Sequence, residues 1–270
     1  MGSLERFTKI EEDFLQSADW EVFENANMTP SPGALLDFVL DKVLKTPQVL
    51  SEFLPSEAVE AHFSGDIHVH KLPYSLWIPY CTGWSVARLM QLGLRTPSVV
   101  AAPPKHFDSA LSQLVDFLYV AQQEWTGAQA LSAVDLYLAP FVERDGLPLE
   151  KVRQRLQSML YQLNVPARIG MQTPFTNVTL VFDTSQSFLE APAIVGGSRV
   201  GSLGDFVEGA LLVGRALFEL YAAGDALGRP FTFPIPTLML TKNFDWSGRR
   251  WGELTDLIFE AVARKGTAYF

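Results

Sequence analysis

The sequence KHFDSALSQLVDFLYVAQQEW at residues 105–125 predicts the main helix of this chain. Its apolar side chains recur at helical spacing, and Pro103 and Pro104 directly before it can set the first turn. The same spacing predicts further helices over residues 33–45 and 147–163. The chain therefore contains several amphipathic helices, each of which needs a partner surface.

The stretch from Arg168 to Asp183 lies between these helices and predicts a buried strand. It is rich in Thr and β-branched residues and poor in residues that favour helices. Extended segments are also predicted at 66–70 and 231–241, and helices at 202–223 and 252–264. Strands that alternate with long helices predict an α/β fold in which both sheet faces, or a barrel interior, are covered.

A glycine-rich stretch at residues 196–201 precedes the helix that starts near Ser202. Ser202 followed by Asp205 is a partial capping box. Glycines before a helix can cradle a phosphate, but neither the dinucleotide spacing of glycines nor a Gly-Lys-Ser/Thr ending is present. A plain turn is the favoured interpretation, and a phosphate loop is the alternative.

Composition sets the broad class of the protein. A chain of 270 residues that is 48% hydrophobic and 12% aromatic predicts one large globular domain over 1–270. There is no signal-like start and no run of about 18 apolar residues, so we expect no membrane span. A net charge of -9 argues against binding to nucleic acid.

The single cysteine, Cys81, excludes an internal disulfide and any site built from several cysteines. We therefore expect no metal site here and a cytoplasmic location, because a reducing compartment suits such a chain. A lone cysteine is commonly a small buried hydrophobic residue. The alternative is a functional thiol, and Cys81 follows a histidine pair by eleven residues.

Two of the four histidines, His68 and His70, lie in the extended segment 66–70. In a strand, successive side chains point to opposite faces. His68 and His70 should then share one side, with Ile67 and Val69 packing on the other. This spacing is compatible with a hydrogen-bonded structural pair or with a catalytic pair.

Seven segments occur in order along residues 22–270: Glu24-Asn25-Ala26-Asn27, Gly65-Asp66-Ile67-His68-Val69-His70, Pro104-Lys105-His106-Phe107-Asp108, Gln123-Glu124-Trp125-Thr126-Gly127-Ala128-Gln129-Ala130, Leu138-Ala139-Pro140-Phe141, Gln172-Thr173-Pro174-Phe175-Thr176-Asn177, and Phe233-Pro234-Ile235-Pro236-Thr237. Together they resemble the anaerobic, class III ribonucleoside-triphosphate reductases. Lys71 departs from the family pattern, which usually has an acidic residue there.

The resemblance implies the fold of the first half of a ten-stranded α/β barrel of the glycyl radical enzyme type, with parallel strands and flanking helices. In that family, the two halves have five strands each and a finger loop runs through the centre. The radical cysteine on that loop, the zinc site and the glycyl radical segment all lie beyond the part that this chain resembles. We expect these groups in a separate C-terminal half, and no ATP-binding cone in this chain.

The resemblance also implies a set of active-site residues. Cys81 resembles the barrel cysteine that faces the radical centre across the substrate ribose, where a thiol can donate a hydrogen atom. The resemblance also implies that at least one of His68 and His70 lies near the substrate, where an imidazole can transfer a proton to or from a ribose hydroxyl. Three further candidates either line the substrate pocket or cap the end of a strand: Gln172, Thr173 and Asn177.

The helix over 105–125 resembles the one that forms much of the family's dimer interface, where an allosteric deoxynucleoside triphosphate binds. Lys105, His106 and Gln113 are the candidate effector-binding residues.

The sequence therefore predicts the N-terminal part of a reductase of ribonucleoside triphosphates, active only with a C-terminal half and a radical-SAM activase. Two alternatives stay open. The chain could be a non-catalytic module that binds deoxynucleotides and dimerises, or a shortened fragment.

Overall fold

A computed structural model describes residues 3–16, 22, 30–168, 171–182, 185–247, 251–252 and 254–270. The segment from Glu24 to Asn27 lies outside these residues. Residue contacts divide the chain into a first unit (Met1–Cys81, Gln123–Gly127, Pro166–Thr173) and a second unit (Thr82–Gln122, Ala128–Val165, Pro174–Phe270). The expectation of a single domain over 1–270 stays a prediction.

The first unit is helical. Its α-helices are α1 (Ser3–Leu15), α2 (Pro32–Leu44), α3 (Pro47–Leu50) and α4 (Ser56–Ser64). Helices α2 and α3 begin in the same way: the side chains of Ser31 and Thr46 accept backbone N–H groups of the first turn, and a proline follows each of them. The prediction of a helix over 33–45 is confirmed by α2.

The second unit contains the strands of the chain's main sheet. The strands are β1 (Thr82–Trp84), β2 (Leu94–Arg95), β3 (Val100–Ala101), β4 (Gln129–Leu131), β5 (Thr176–Leu180), β6 (Pro192–Val195), β7 (Ser198–Ser202) and β8 (Ile235–Leu238). Strands β1, β4, β5 and β8 form a parallel sheet in that order. The pairs β2–β3 and β6–β7 are antiparallel hairpins.

Tyr269 pairs with the outer edge of β8. It forms a parallel bridge with Thr237, donates its N–H to the carbonyl of Pro236 at 2.9 Å, and accepts the N–H of Leu238 at 2.9 Å. The four strands and this bridge thus occupy five adjacent positions, the number expected for half of the predicted barrel.

Helices connect the parallel strands, as crossovers between parallel strands require. The helices between the first and last of these strands are α5 (Val86–Leu92), α6 (Phe107–Ala121), α7 (Val134–Arg144), α8 (Leu149–Leu163), α9 (Gln186–Leu189) and α10 (Val207–Ala223). A further helix, α11 (Leu254–Lys265), follows β8. The predicted helices over 105–125, 147–163, 202–223 and 252–264 correspond to α6, α8, α10 and α11. The predicted α/β class with parallel strands and flanking helices is confirmed.

The sheet has one buried face and one more open face. Along β5, Thr176, Val178 and Leu180 are buried, whereas Asn177 and Thr179 are partly exposed. Val178 and Leu180 belong to the same apolar core as the inner sides of α6, α7, α8 and α10. Each such fully buried leucine or valine contributes about 2 kcal/mol. The core therefore lies on the helical side of the sheet.

Asp135, in the first turn of α7, ties that helix to the end of β5. The backbone N–H of Val181 donates to both carboxylate oxygens, at 3.0 and 2.9 Å. Asp135 is completely buried, and burial raises its pKa to about 7 against the opposing effect of these backbone hydrogen bonds.

The predicted strand at 66–70 is wrong: these residues form a turn and loop after α4. Gly65 ends α4 in the left-handed conformation (φ +86°), and the chain then folds back so that the N–H of Ile67 donates to the carbonyl of Ala61 at 3.1 Å. Ile67 is consequently 45% exposed, and only Val69 packs against a core.

The predicted strand from Arg168 to Asp183 is shorter in the structure. Only Thr176–Leu180 forms a strand, namely β5. Before it, the N–H groups of Ala167 and Arg168 both donate to the carbonyl of Gln172 at 2.9 Å, which closes a turn. Asp183 lies outside the described residues.

The glycine-rich stretch is a plain turn, as favoured. Gly196 and Gly197 connect β6 to β7 with φ angles of +61° and +81°, the left-handed conformation that two-residue hairpin turns require. The capping box is also confirmed, because the N–H of Ser202 donates to Asp205 at 2.8 Å.

Candidate functional site

The thiol of Cys81 lies directly before the first strand of the parallel sheet and is exposed. Gly127 packs against it. A methyl group on Gly127 would come within 2.7 Å of Cys81 Sγ and 2.7 Å of the Tyr80 carbonyl oxygen. The N–H of Gly127 also donates to that carbonyl at 2.7 Å. A residue without a side chain is therefore needed beside the thiol.

The two candidate histidines lie side by side, on the loop formed by residues 65–71, which we call the histidine loop. His68 Nε2 is 3.1 Å from His70 Nδ1, so one of these nitrogens donates to the other. The ring of His70 then meets Tyr80 edge to face, with centroids 4.6 Å apart. Because Tyr80 precedes Cys81, the imidazole pair is linked by contact to the residue next to the thiol.

A third imidazole, His62, was not expected from the sequence. Its ring centroid is 5.8 Å from that of His68, and its Nδ1 accepts the backbone N–H of Val69 at 3.2 Å. Burial lowers the pKa of His62, and Lys45 and His68 lower it further. One signal in the sequence could have indicated this contact: His62 lies six residues before His68, with Gly65 between them. A helix that ends at a glycine lets the chain turn back, which can bring the two histidines together.

A second loop of the first unit carries Arg168. Its guanidinium donates from Nη2 to the carbonyl of Thr126 at 2.9 Å, next to Gly127. Desolvation lowers the pKa of Arg168, while Tyr80 and Asp37 act to raise it. Arg168 was not singled out in the sequence, because an isolated arginine at the start of a predicted strand carries no functional signal.

Gln172 and Thr173 lie at the end of this loop. Gln172 is buried and Thr173 is half-buried. The carbonyl of Gln172 accepts the N–H groups that hold the turn carrying Arg168. The backbone of Gln172 therefore stabilises this turn.

Asn177 lies on β5 in the second unit. Its Nδ2 donates to Thr237 Oγ1 at 2.8 Å, which joins β5 to β8 on the more open face of the sheet. This side chain therefore connects two strands rather than capping the end of one.

Of the three effector candidates, Lys105 and His106 lie directly before α6, and Gln113 lies in its second turn. Lys105 runs along the hairpin turn, with its Cγ 3.3 Å from where a Cβ on Gly196 would lie. His106 Nδ1 is 2.8 Å from Asp145 Oδ1, and Gln113 Nε2 donates to the Ala102 carbonyl at 2.8 Å. His106 and Gln113 thus already hold α6 to its neighbours, whereas Lys105 brings a cation to the start of the helix.

The described part of the chain holds no group of three or more His, Cys, Asp or Glu side chains arranged to bind a metal ion. Among the same residues, no helix has both the length and the apolar composition that crossing a bilayer demands.

Comparison with known proteins identifies relatives. The chain is 23% identical over 204 residues to the anaerobic ribonucleoside-triphosphate reductase of Salmonella typhimurium, covering 67% of this chain and 29% of that protein. It is 25% identical over 194 residues to the enzyme of the same name from Enterobacteria phage T4, covering 62% and 31%. The chain therefore spans about a third of the length of the curated relatives it matches.

Solved structures share the fold. One described as an anaerobic ribonucleotide reductase matches with a TM-score of 0.70 at 20% identity, over 97% of this chain and 44% of that one. The Thermotoga maritima anaerobic ribonucleotide reductase with dATP bound in the specificity site matches with a TM-score of 0.64 at 18% identity, over 98% and 50%. This chain thus has the fold of part of those enzymes.

The family model described as anaerobic ribonucleoside-triphosphate reductase matches residues 24–270. Because this match extends over nearly the whole chain, the chain belongs to the anaerobic ribonucleoside-triphosphate reductase family.

Proposed function

We propose that this chain is the N-terminal part of an anaerobic ribonucleoside-triphosphate reductase and that Cys81, His68 and His70 contribute to its active site. The observation that supports this most is the exposed thiol of Cys81 directly before the first strand of a parallel sheet, with Gly127 packed against its sulfur. A purely structural cysteine would be buried, and this one is not.

Cys81 would act as a hydrogen-atom donor. A thiol can give one hydrogen atom to a carbon-centred radical of a bound ribose: the S–H bond breaks, a C–H bond forms, and the unpaired electron stays on sulfur. A reductant must then restore the thiol. The close approach of Gly127 leaves the sulfur little room on that side.

The histidine pair would move the proton. A ribose hydroxyl that leaves as water must gain a proton, and imidazole is suited to this near neutral pH. His70 contacts Tyr80 beside the thiol, so we assign proton transfer to His70 and the orientation of its ring to His68. Gln172, Thr173 and Asn177 are proposed to line the substrate pocket.

The proposed substrate, effector and partner chains are based on the relatives of this chain. A Thermotoga maritima anaerobic ribonucleotide reductase has been solved in complex with dATP and CTP. For this chain we propose a ribonucleoside triphosphate as substrate and a deoxynucleoside triphosphate as effector beside Lys105, His106 and Gln113, in a homodimer formed through α6. A C-terminal half would carry the glycyl radical and the zinc site, a radical-SAM activase would generate the radical, and the assembly would be cytoplasmic.

Reconstitution tests this function. The chain is co-expressed with a C-terminal half of the family, and complex formation is followed by size-exclusion chromatography. Anaerobic reduction of ribonucleoside triphosphates is then measured after treatment with the activase. We expect a stable complex and turnover, with turnover lost in Cys81→Ser while the fold and effector binding are kept. The absence of both complex and turnover, or near-normal turnover of Cys81→Ser, would contradict the proposal.

A second function is favoured by one observation: Lys105, His106 and Gln113 all lie in the second unit of this chain. A non-catalytic module that binds deoxynucleotides and dimerises would need no other chain. Calorimetry of the purified chain with deoxynucleoside triphosphates, together with its oligomeric state, tests this. Tight binding by a dimer that forms no complex with the C-terminal half would favour the module over the reductase.

A further inference from the structure

Several hydrogen bonds hold the histidine loop to α4, and two of them are donated by backbone N–H groups beyond Gly65. The N–H of Ile67 donates to the Ala61 carbonyl at 3.1 Å, and the N–H of Val69 donates to His62 Nδ1 at 3.2 Å. The second bond is the one next to the imidazole pair, because Val69 is the single residue between His68 and His70. The backbone between His68 and His70 is therefore held by the side chain of His62 in α4.

We propose that His62 is a positioning residue that orients the His68–His70 pair by accepting the backbone N–H of Val69. The catalytic consequence of this rests on the function proposed above; the structural part does not. His62 itself need not touch the substrate, since it acts through the loop that carries the other two rings.

The acceptor role determines which nitrogen of His62 carries the proton. Nδ1 can accept from Val69 only when it is unprotonated, so the proton of neutral His62 lies on Nε2. A charged His62 would have protons on both nitrogens, would lose this hydrogen bond and would repel a charged His68. Burial lowers the pKa of His62 most, and Lys45 and His68 lower it further. A backbone hydrogen bond to Ile67 acts in the opposite direction without reversing the shift, so the neutral ring that the loop needs is favoured.

Packing alone is the competing explanation. The ring of His62 also meets Phe63 edge to face, with centroids 5.4 Å apart. Packing requires bulk and an apolar surface, whereas positioning requires an acceptor atom at the place of Nδ1. Two substitutions separate these requirements. His62→Leu keeps bulk and removes the acceptor, and His62→Asn keeps an acceptor oxygen near that place without a titratable group.

The first experiment is made on the purified chain and needs no enzymatic activity. Amide hydrogen exchange of residues 65–71 and the imidazole ¹⁵N spectrum are recorded near pH 7.5. We expect His62→Leu to accelerate exchange at Val69 by about tenfold and to average the ring signals of His68 and His70 between tautomers. His62→Asn should stay close to the wild type in both measurements.

Three results would overturn the proposal: an unchanged loop in His62→Leu, a loop in His62→Asn as disturbed as in His62→Leu, or a wild-type His62 protonated on Nδ1. The last of these is read from the wild-type spectrum alone, so it decides the question even if a variant fails to fold.

The second experiment uses the reconstituted assembly with its C-terminal half. We expect His62→Leu to lower kcat by about tenfold with little change in KM, and His62→Asn to restore it, because misoriented catalytic groups affect turnover more than binding. Equal kcat values in wild type and His62→Leu would contradict the catalytic part. An inactive wild-type assembly would refute the proposed function, while the spectra of the chain would still decide the role of His62.

Discussion

The parallel sheet of the second unit and the histidine loop of the first unit are held in place by different forces. The sheet has regular ladders from β1 to β8 and a buried face joined to the helical core. The histidine loop has no ladder, its two histidines are exposed, and hydrogen bonds from Ile67 and Val69 attach it to α4.

This difference separates the stability of the fold from the local orientation of the histidine rings. Burial of apolar area supplies most of the folding free energy, so the sheet and its helices determine whether the second unit folds. The exposed rings of the loop add little to that free energy, but their orientation depends on single hydrogen bonds. Substitutions in the sheet and its helices should therefore change the free energy of unfolding, whereas substitutions in the histidine loop should change the orientation of its rings.

The largest expected effect comes from the core beside the sheet. Leu138, in α7, is completely buried, whereas Ile67, in the histidine loop, is 45% exposed. Leu138→Ala should lower the free energy of unfolding of the second unit by about 3 kcal/mol, because it removes apolar contacts and leaves a cavity. Ile67→Ala should cost less than about 1 kcal/mol. Urea denaturation, with hydrogen exchange of β5 for the second unit and of α4 for the first, measures the two losses; equal losses would contradict this prediction.

The second prediction concerns pH. Burial raises the pKa of Asp135 to about 7 in the folded state, from a usual value of 3.8. A raised pKa means that the carboxyl group is neutral in the folded chain over a range where it is ionised in the unfolded chain. Its contribution to stability is therefore fully present below about pH 4 and is lost as the pH rises towards 7.

We expect the unfolding free energy of the second unit to be about 3 kcal/mol lower at pH 8 than at pH 5 from this group alone. Asp135→Asn is the matched control: it keeps an oxygen that can accept the N–H of Val181 and does not titrate. The difference between the two pH profiles isolates Asp135. If the profiles of wild type and Asp135→Asn run parallel, this interpretation is wrong.

The smallest expected effect on stability is predicted for two glycine substitutions, one beside the thiol and one in β1. Gly127→Ala would place a methyl group 2.7 Å from Cys81 Sγ, whereas the Cβ of Gly83→Ala meets no atom within 4 Å. Gly127→Ala should cost about 2 kcal/mol and displace the thiol, and Gly83→Ala should leave stability nearly unchanged. Thermal midpoints and the rate at which Cys81 reacts with a thiol reagent test this. The same reaction rate in both variants would count against the close packing of Gly127 on the thiol.

Local signals were enough to predict part of the fold. Helices α6, α8 and α10 have regular apolar spacing, and the capping box at Ser202 and the turn at Gly196-Gly197 depend on neighbouring residues only. The strand prediction at 66–70 failed because alternating residue types also suit a loop, and because Gly65 ends α4 so close before it. Short strands such as β1 and β4 were missed, since three residues carry too little pattern.

The α/β class, the main helices and the candidacy of Cys81, His68 and His70 could be predicted without the structure, because composition, periodicity and the order of motifs are read directly along the chain. Two contacts became apparent from the folded chain alone: His62 accepts the N–H of Val69, and Gly127 lies against the thiol. The second contact joins residues more than forty positions apart, and no local pattern encodes which distant backbone approaches a given side chain. The physical reason is that such contacts are selected by the packing of the whole unit, where burial and hydrogen bonding are satisfied together.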